Sequence, residues 1–230
     1  MYVHTFVLTK QTKMKKGTLL IAVLAASFLA NAQTKTTTTK ATTKPAPKAA
    51  ATAAAPTKWG IDASHSTVKF AVSHLAVSEV EGTFKAFNGS IEAPTADFVN
   101  AKVSFDVDVN SINTDNEMRD KHLKSDDFFN AEKFPKMSFV STSFKKTSGN
   151  NYILEGNLTV RDVTKKVSFV VTYGGTVKDP YGNIKAGFKA TGKMSRKAYG
   201  LKWSALTEAG GAVVGDEVTM NLRLEFAQAK

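Results

Sequence analysis

From Trp59 to Phe226 the sequence alternates with a period of two, and that period limits the fold more than any other feature. Val103, Phe105, Val107 and Val109 alternate with Lys102, Ser104, Asp106 and Asp108. Val68, Phe70 and Val72 do the same, as do Val80, Gly82, Phe84 and Ala86. Tyr152, Leu154, Leu158 and Val160, then Val167, Phe169, Val171 and Tyr173, extend the pattern. Ile184, Ala186, Phe188, Ala190 and Met194 follow, and Val218, Met220, Leu222, Leu224 and Phe226 end it. Side chains alternate faces along a strand, so each segment predicts a strand with one buried face. Turn residues at Ser148–Asn151 and Asp179–Asn183 join neighbours directly, which predicts an antiparallel meander.

About eight such strands in one small domain must either split into a sandwich or close into a barrel. Gly82, Gly89, Gly156, Gly187 and Gly192 fall inside the strands and are read as bends, which favours closure. Phe70, Phe84, Phe105, Phe169, Phe188 and Phe226 share the inner face. An eight-stranded barrel can be filled by its own side chains or hold a small ligand, and periodicity leaves both open. A membrane barrel would need aromatic girdles at both interfaces. Two Trp, five Tyr and a terminal Ala-Gln-Ala-Lys count against one.

The ends of the chain differ in kind. Lys15 and Lys16, an apolar run over Leu19–Leu29 and the Ala30-Asn31-Ala32 triplet have the layout of a cleaved signal peptide. Residues 1–32 are therefore read as leader, with Met14 as the start. Residues 33–58, almost wholly Thr, Lys, Ala and Pro, are read as a disordered tether. Residues 59–230 form the folded domain. Nine lysines of the formal +11 lie in the first 58 residues, leaving +2 for the domain. A nucleic-acid partner thus loses its support. The basic tether is read as a solvated spacer, with peripheral contact to an anionic envelope surface as the alternative. With no cysteine, the exported domain must fold on its core alone.

Only one stretch breaks the alternation with helical spacing. Thr114 and Glu117 read as a capping box with Thr114 as N-cap, predicting a short helix near Asp115–Lys124. Asp115, Met118, Arg119, His122 and Leu123 share its inner side, with Asp115 the expected ion partner of Arg119. Glu117–Lys121 and Asp120–Lys124 are expected i,i+4 pairs on the outer side. Asp115, Arg119 and His122 form the candidate polar lip over the barrel. Asp126 and Asp127 read as solvated. No nucleophile motif, phosphate loop or metal-ligand spacing occurs, so neither an enzyme nor a metal or cofactor protein is expected.

Ser111–Leu123, followed by Asp127-Phe128-Phe129 and Phe134-Pro135, resembles the YceI-like polyisoprenoid-binding family. Asp62–His65, Val80–Gly89, Gly156–Val160, Arg196–Trp203 and Gly210–Val218 match in the same order. Ser204 stands where many members have asparagine, and the tether lies outside the pattern. The resemblance implies a lipocalin-like barrel, exported to the periplasm, whose apolar tunnel takes a long isoprenoid, an isoprenoid quinone or a similar lipid. It implies no catalytic residue. On strand alternation the lining is Phe70, Phe84, Val103, Phe105, Val107, Leu154, Leu158, Phe169, Val171, Phe188, Met220 and Leu222. The competing expectation is a packed barrel that serves in the envelope as a stress or interaction protein without carrying lipid. The oligomeric state is left open, a dimer being one option.

Overall fold

The computed structural model describes residues 55–230. The expected signal peptide and all but the end of the expected tether lie outside them. Eleven strand segments form one sheet: β1 (Thr57–Ile61), β2 (Thr67–His74), β3 (Ser78–Phe84), β4 (Phe87–Ala93), β5 (Lys102–Asp108), β6 (Ile112–Asn113), β7 (Lys136–Ser148), β8 (Asn151–Val160), β9 (Val163–Lys178), β10 (Ile184–Ser195) and β11 (Val214–Gln228). The helix α1 (Glu117–Lys124) lies between β6 and β7. Thr57 and Lys58 already pair with Ala93 and Glu92, so the sheet begins within the expected tether.

These segments amount to eight antiparallel staves. β1 and β2 form the first, both pairing with β11 on one side. On the other side they pair with β4 and β3, which form the second. β5 and β6 form the third, and β7 to β11 continue the meander. The pairing of Trp59 with Gln228 and Ile61 with Phe226 closes the barrel. Closure leaves no long edge to template aggregation.

The first stave bends at a 3-10 turn, Ala63–His65, whose cap Asp62 accepts from the Ser64 amide at 3.1 Å. Backbone donors freed by the bend are taken up across the seam. The Asp62 amide donates to the Glu225 carbonyl at 2.8 Å, and the Glu225 amide donates to the Ser66 hydroxyl at 2.9 Å.

Four strand glycines act through space rather than through bends. A Cβ on Gly82 would lie 2.3 Å from the Phe70 ring, its direct cross-strand partner. Gly89 faces Phe105 at 2.5 Å, Gly156 faces Phe139 at 2.4 Å and Gly192 faces Phe169 at 2.6 Å. Each ring occupies the volume a neighbouring side chain would fill, so it lies along the wall and leaves the axis clear. Gly187 does coincide with an irregular register, between β9 and β10.

The interior is packed at one end and hollow at the other. Phe98, 1% exposed, plugs the packed end from the β4–β5 loop. Its ring lies 5.2 Å from Trp59, 5.4 Å from Tyr173 and 5.1 Å from Phe188, distances typical of tilted and edge-on aromatic pairs. The loop is tied down by the Tyr152 hydroxyl, which donates to the Asp97 carbonyl at 2.7 Å. Phe98 and Asn100 both adopt positive φ, at 61°. That geometry is strained for L residues and held here by the packing around it.

Candidate functional site

The hollow end is a cavity of about 340 Å³, within the usual range of ligand pockets, roughly 300–1,000 Å³. Its wall comes from the inward side chains of β2, β3, β5, β7, β8, β9, β10 and β11. Phe70, Phe84, Val103, Phe105, Val107, Leu154, Leu158, Phe169, Met220 and Leu222 all line it. Val171 and Phe188 do not. Both are buried in the packed end, where Phe188 contacts Phe98 and Phe226. Alternation gives the face of a residue and says nothing of its depth along the barrel.

Helix α1 and its exit cover the opening. Arg119, His122, Leu123, Phe128 and Phe129 reach the cavity from this segment. The Phe129 ring stands edge-on to Phe84 at 6.0 Å. The exit is pinned by Arg161, which donates to the Phe128 carbonyl at 3.1 Å and to the Asp126 carboxylate at 3.0 Å.

The start of the helix departs from expectation. Asn116 is the N-cap, its side chain accepting from the Arg119 amide at 2.9 Å. Asp115 takes a φ of +57° and is exposed, so it neither lines the cavity nor pairs with Arg119. Thr114 is buried instead, and holds the segment together. Arg119 Nε donates to the Thr114 hydroxyl and Nη2 to the Thr114 carbonyl, both at 2.8 Å. The Thr114 hydroxyl and amide donate in turn to Asp120 Oδ1, at 2.6 and 2.9 Å.

Asp120 is thus turned inward, and neither expected i,i+4 pair forms within 4 Å among the described residues. Met118, expected to pack, is 85% exposed. Of the three lip residues, Arg119 and His122 face the cavity and Asp115 does not. Asp126 and Asp127, expected to be solvated, are exposed but partnered. Asp126 meets Arg161, and Asp127 lies 2.8 Å from His122 Nε2.

The segment between β10 and β11, together with the first residue of β11, supplies lining that alternation does not reveal. Arg196, Leu201, Trp203, Val213 and Val214 all face the cavity. The Trp203 ring lies 5.6 Å from Phe128 and 5.4 Å from His122. Arg196 is 3% exposed and staples this segment. Its Nε donates to the Gly215 carbonyl at 2.7 Å. Its Nη1 donates to the Leu201 and Trp203 carbonyls, both at 2.7 Å, and Nη2 donates to the Val214 carbonyl at 3.1 Å. Burial pushes its pKa down, the neighbouring Asp216 opposing that shift. Tyr199 is buried alongside with its hydroxyl unpartnered, and burial pushes its pKa up. The irregular backbone here shows no period-two signal; the family-like Arg196–Trp203 stretch is the one pointer to it in the sequence.

One cluster has the makings of a metal centre. Asp62, His65 and Glu225 could each offer a ligand atom. Lys185 Nζ already sits between the carboxylates, 2.6 Å from Asp62 and 3.2 Å from Glu225. Its hydrogen bond, and that from His65, hold the Asp62 carboxyl far below the usual carboxylate range. The ammonium fills the place a cation would take, and none of the four residues lines the cavity.

Comparison with known proteins agrees with this architecture. A UPF0312 protein of Staphylococcus aureus (strain USA300) is 35% identical over 172 residues, 74% of this chain and 98% of the relative. The Campylobacter jejuni YceI crystal structure superposes with a TM-score of 0.58 at 30% identity, covering 69% of this chain and 90% of that one. A polyisoprenoid binding domain from Saccharophagus degradans, implicated in plant cell wall breakdown, superposes with a TM-score of 0.54. It is 17% identical, with 74% of this chain and 98% of that one covered, and shows a shared fold. The model of the YceI-like domain matches residues 59–226, the whole span from the first stave to the last, and the chain belongs to that family.

Proposed function

We propose that the protein is a carrier that holds a long-chain isoprenoid or similar apolar lipid in the open half of its barrel, on the extracytoplasmic side of the membrane. The observation that carries this reading is the cavity of about 340 Å³, walled by Phe, Leu, Val and Met side chains and covered by α1. Apolar burial supplies binding at roughly 25 cal/mol per Å². The few polar groups at the mouth suit a ligand that is mostly chain. The polyisoprenoid-binding domain of Saccharophagus degradans points to the same ligand class, and its low identity leaves the cavity as the main support. Export rests on the signal-like leader. No helix among the described residues is long and apolar enough to cross a membrane.

A carrier needs no catalytic group, so the reading is of a binding protein rather than an enzyme. Solvent extraction of protein purified from its native envelope, followed by mass spectrometry, tests the proposal. One lipid class should be recovered in stoichiometric amount. Repeated recovery of none, with probes of chain length about C16 to C20 failing to bind the purified protein, would return the barrel to a non-carrier envelope role.

A further inference from the structure

Two neighbouring turns beyond the cavity carry large apolar side chains that no described residue covers. Val77 is 85% exposed and Leu206 70%, and Leu75 is exposed as well. The Leu75 amide donates to the Val213 carbonyl, and the Val213 amide donates to the Ala205 carbonyl, both at 2.9 Å. Leu206 pairs with Ala212 in an isolated bridge. The 75–77 and 205–213 turns therefore form one extension of the barrel wall. The cavity lining runs up to its base, at His74, Val213 and Val214.

The first turn is built against its own stability. Leu75 and Ala76 both take positive φ, 52° and 57°, a pairing that asparagine and glycine adopt at lower cost. Leu75 gains little burial in return. A strained and uncovered apolar tip is accounted for by a contact made outside the protein. The cavity is also least sheltered on this side. Val72, Val80 and Val218, which face it near the turns, are half-buried, whereas Leu154 and Leu158 on β8 are buried.

Charge selects the partner. Residues 75–77 carry no charge, and Glu208 is the one ionisable residue in 205–213. An uncharged apolar tip of this kind suits hydrocarbon rather than a charged protein or nucleic acid. The described chain begins and ends at the packed end, where the Ala229 amide donates to the Lys58 carbonyl at 2.8 Å. Neither of its ends obstructs the mouth.

We propose that the 75–77 and 205–213 turns insert into the surface of a lipid bilayer and seat the barrel mouth on it. A lipid then passes between membrane and cavity without crossing water. The inference rests on the carrier reading and adds the surface at which the lipid is exchanged.

The test is co-flotation of the purified full chain with neutral dioleoylphosphatidylcholine vesicles, on which the basic tether gains no attraction. Binding of N-phenyl-1-naphthylamine in vesicle-free solution reads the cavity separately. The parent should float. Val77→Ser with Leu206→Ser should lower vesicle partitioning at least about 10-fold, as expected from losing two buried apolar side chains. Its affinity for the soluble probe should be unchanged. Val177 and Tyr181 are equally exposed but lie on the β9–β10 hairpin at the packed end. Val177→Ser with Tyr181→Ser should float like the parent.

Leu75→Asn with Ala76→Gly relieves the turn and removes its apolar tip. It should melt a few degrees higher yet float less. A parent that does not float, or a Val77→Ser, Leu206→Ser variant that floats as well as the parent, overturns the docking surface and leaves the carrier. Self-association of the parent without vesicles, abolished by the same variant, assigns the turns to a second copy of the chain and overturns the membrane. Failure of the parent to bind the soluble probe overturns the carrier reading itself.

Discussion

The ring of Phe70 lies across Gly82, 2.3 Å from where that residue would carry a Cβ. The pair is a direct cross-strand register partner, and the arrangement repeats at Gly89–Phe105 and Gly192–Phe169. A phenylalanine laid on a glycine keeps its burial without projecting toward the axis. The barrel is therefore hollow at this end because its largest side chains are flattened onto their neighbours.

That relationship predicts a graded response to alanine. At Gly82 the obstructing atoms are the Phe70 ring and the Thr114 methyl, both on side chains that can rotate. At Gly156 the backbone carbonyl of Val140 is also 2.5 Å away and cannot move without shifting its strand. Both substitutions should destabilise by about 1–3 kcal/mol, with Gly156→Ala the larger in urea denaturation. Gly82→Ala should also push the Phe70 ring inward and weaken binding of a lipid probe. Equal loss of stability at both sites with unaltered probe affinity would remove the ring-seat explanation.

The closed end predicts a different failure. Phe98 supplies the plug that separates a half-hollow barrel from an open tube, and its ring touches Trp59, Tyr173 and Phe188. Phe98→Ala should cost about 3–5 kcal/mol, in line with large-to-small changes at fully buried aromatics. Chemical denaturation measures that loss. The same variant should admit a longer chain than the parent does. A crystal structure of Phe98→Ala with the end still sealed would show that Trp59 and Phe226 suffice as the plug.

How much of this is legible in the sequence follows from what each signal encodes. Strand alternation reports one buried face, so the eight-stave barrel can be read from Val103–Val109 and its counterparts. Depth is not encoded, which is why alternation groups Val171 and Phe188 with Phe169 although they belong to the packed end. The glycine seats require knowing that Phe70 pairs with Gly82, a register fact beyond any single strand.

At the helix, Thr114 and Asn116 are both good capping residues, and the positive φ of Asp115 decides between them. Starting the helix at Asn116 frees Thr114 to bond Arg119 and Asp120, and leaves Asp115 and Met118 facing solvent. The 196–214 segment has no periodicity at all. Its cavity role arises from Arg196 gathering four carbonyls, a long-range event with no local signature.

The seam between first and last staves predicts a pH dependence of opposite sign at its two ends. His65 is exposed, and its pKa is raised from 6.5, mainly by the hydrogen bond to Asp62. A raised folded-state pKa gives stability that is complete below about pH 6.5 and is lost as pH rises through the folded value. Asp62 is lowered from 3.8, first by Lys185 and then by His65. Its contribution is present above about pH 4 and fades as pH falls toward its depressed value. Melting temperature against pH should therefore decline gently from about pH 6 to 8 in the parent, and His65→Gln should flatten that decline. Lys185→Met should lower stability at neutral pH and flatten the loss on the acid side, because Asp62 then titrates closer to its unfolded value. An unchanged slope over that range in His65→Gln would place the titration elsewhere.

Arg119 gives the last prediction, because its two bonds to Thr114 tie the cover to the wall. Thr114 is buried against Gly82 and pairs through its amide and hydroxyl with Asp120, so the start of the helix stays anchored without Arg119. Arg119→Ala removes two hydrogen bonds from a charged donor at a half-buried site, where each contributes on the order of 1 kcal/mol. The barrel should remain folded, with a melting temperature reduced by a few degrees. The cover should open more often, and a bound lipid should leave several-fold faster. Stopped-flow transfer of a fluorescent lipid from protein to vesicles measures that rate. Thr114→Val should speed release further, since it strips the shared hydroxyl from both Arg119 and Asp120. A parent-like off-rate in Arg119→Ala would confine that residue to holding the helix start, with the gate then carried by Phe129 and Trp203.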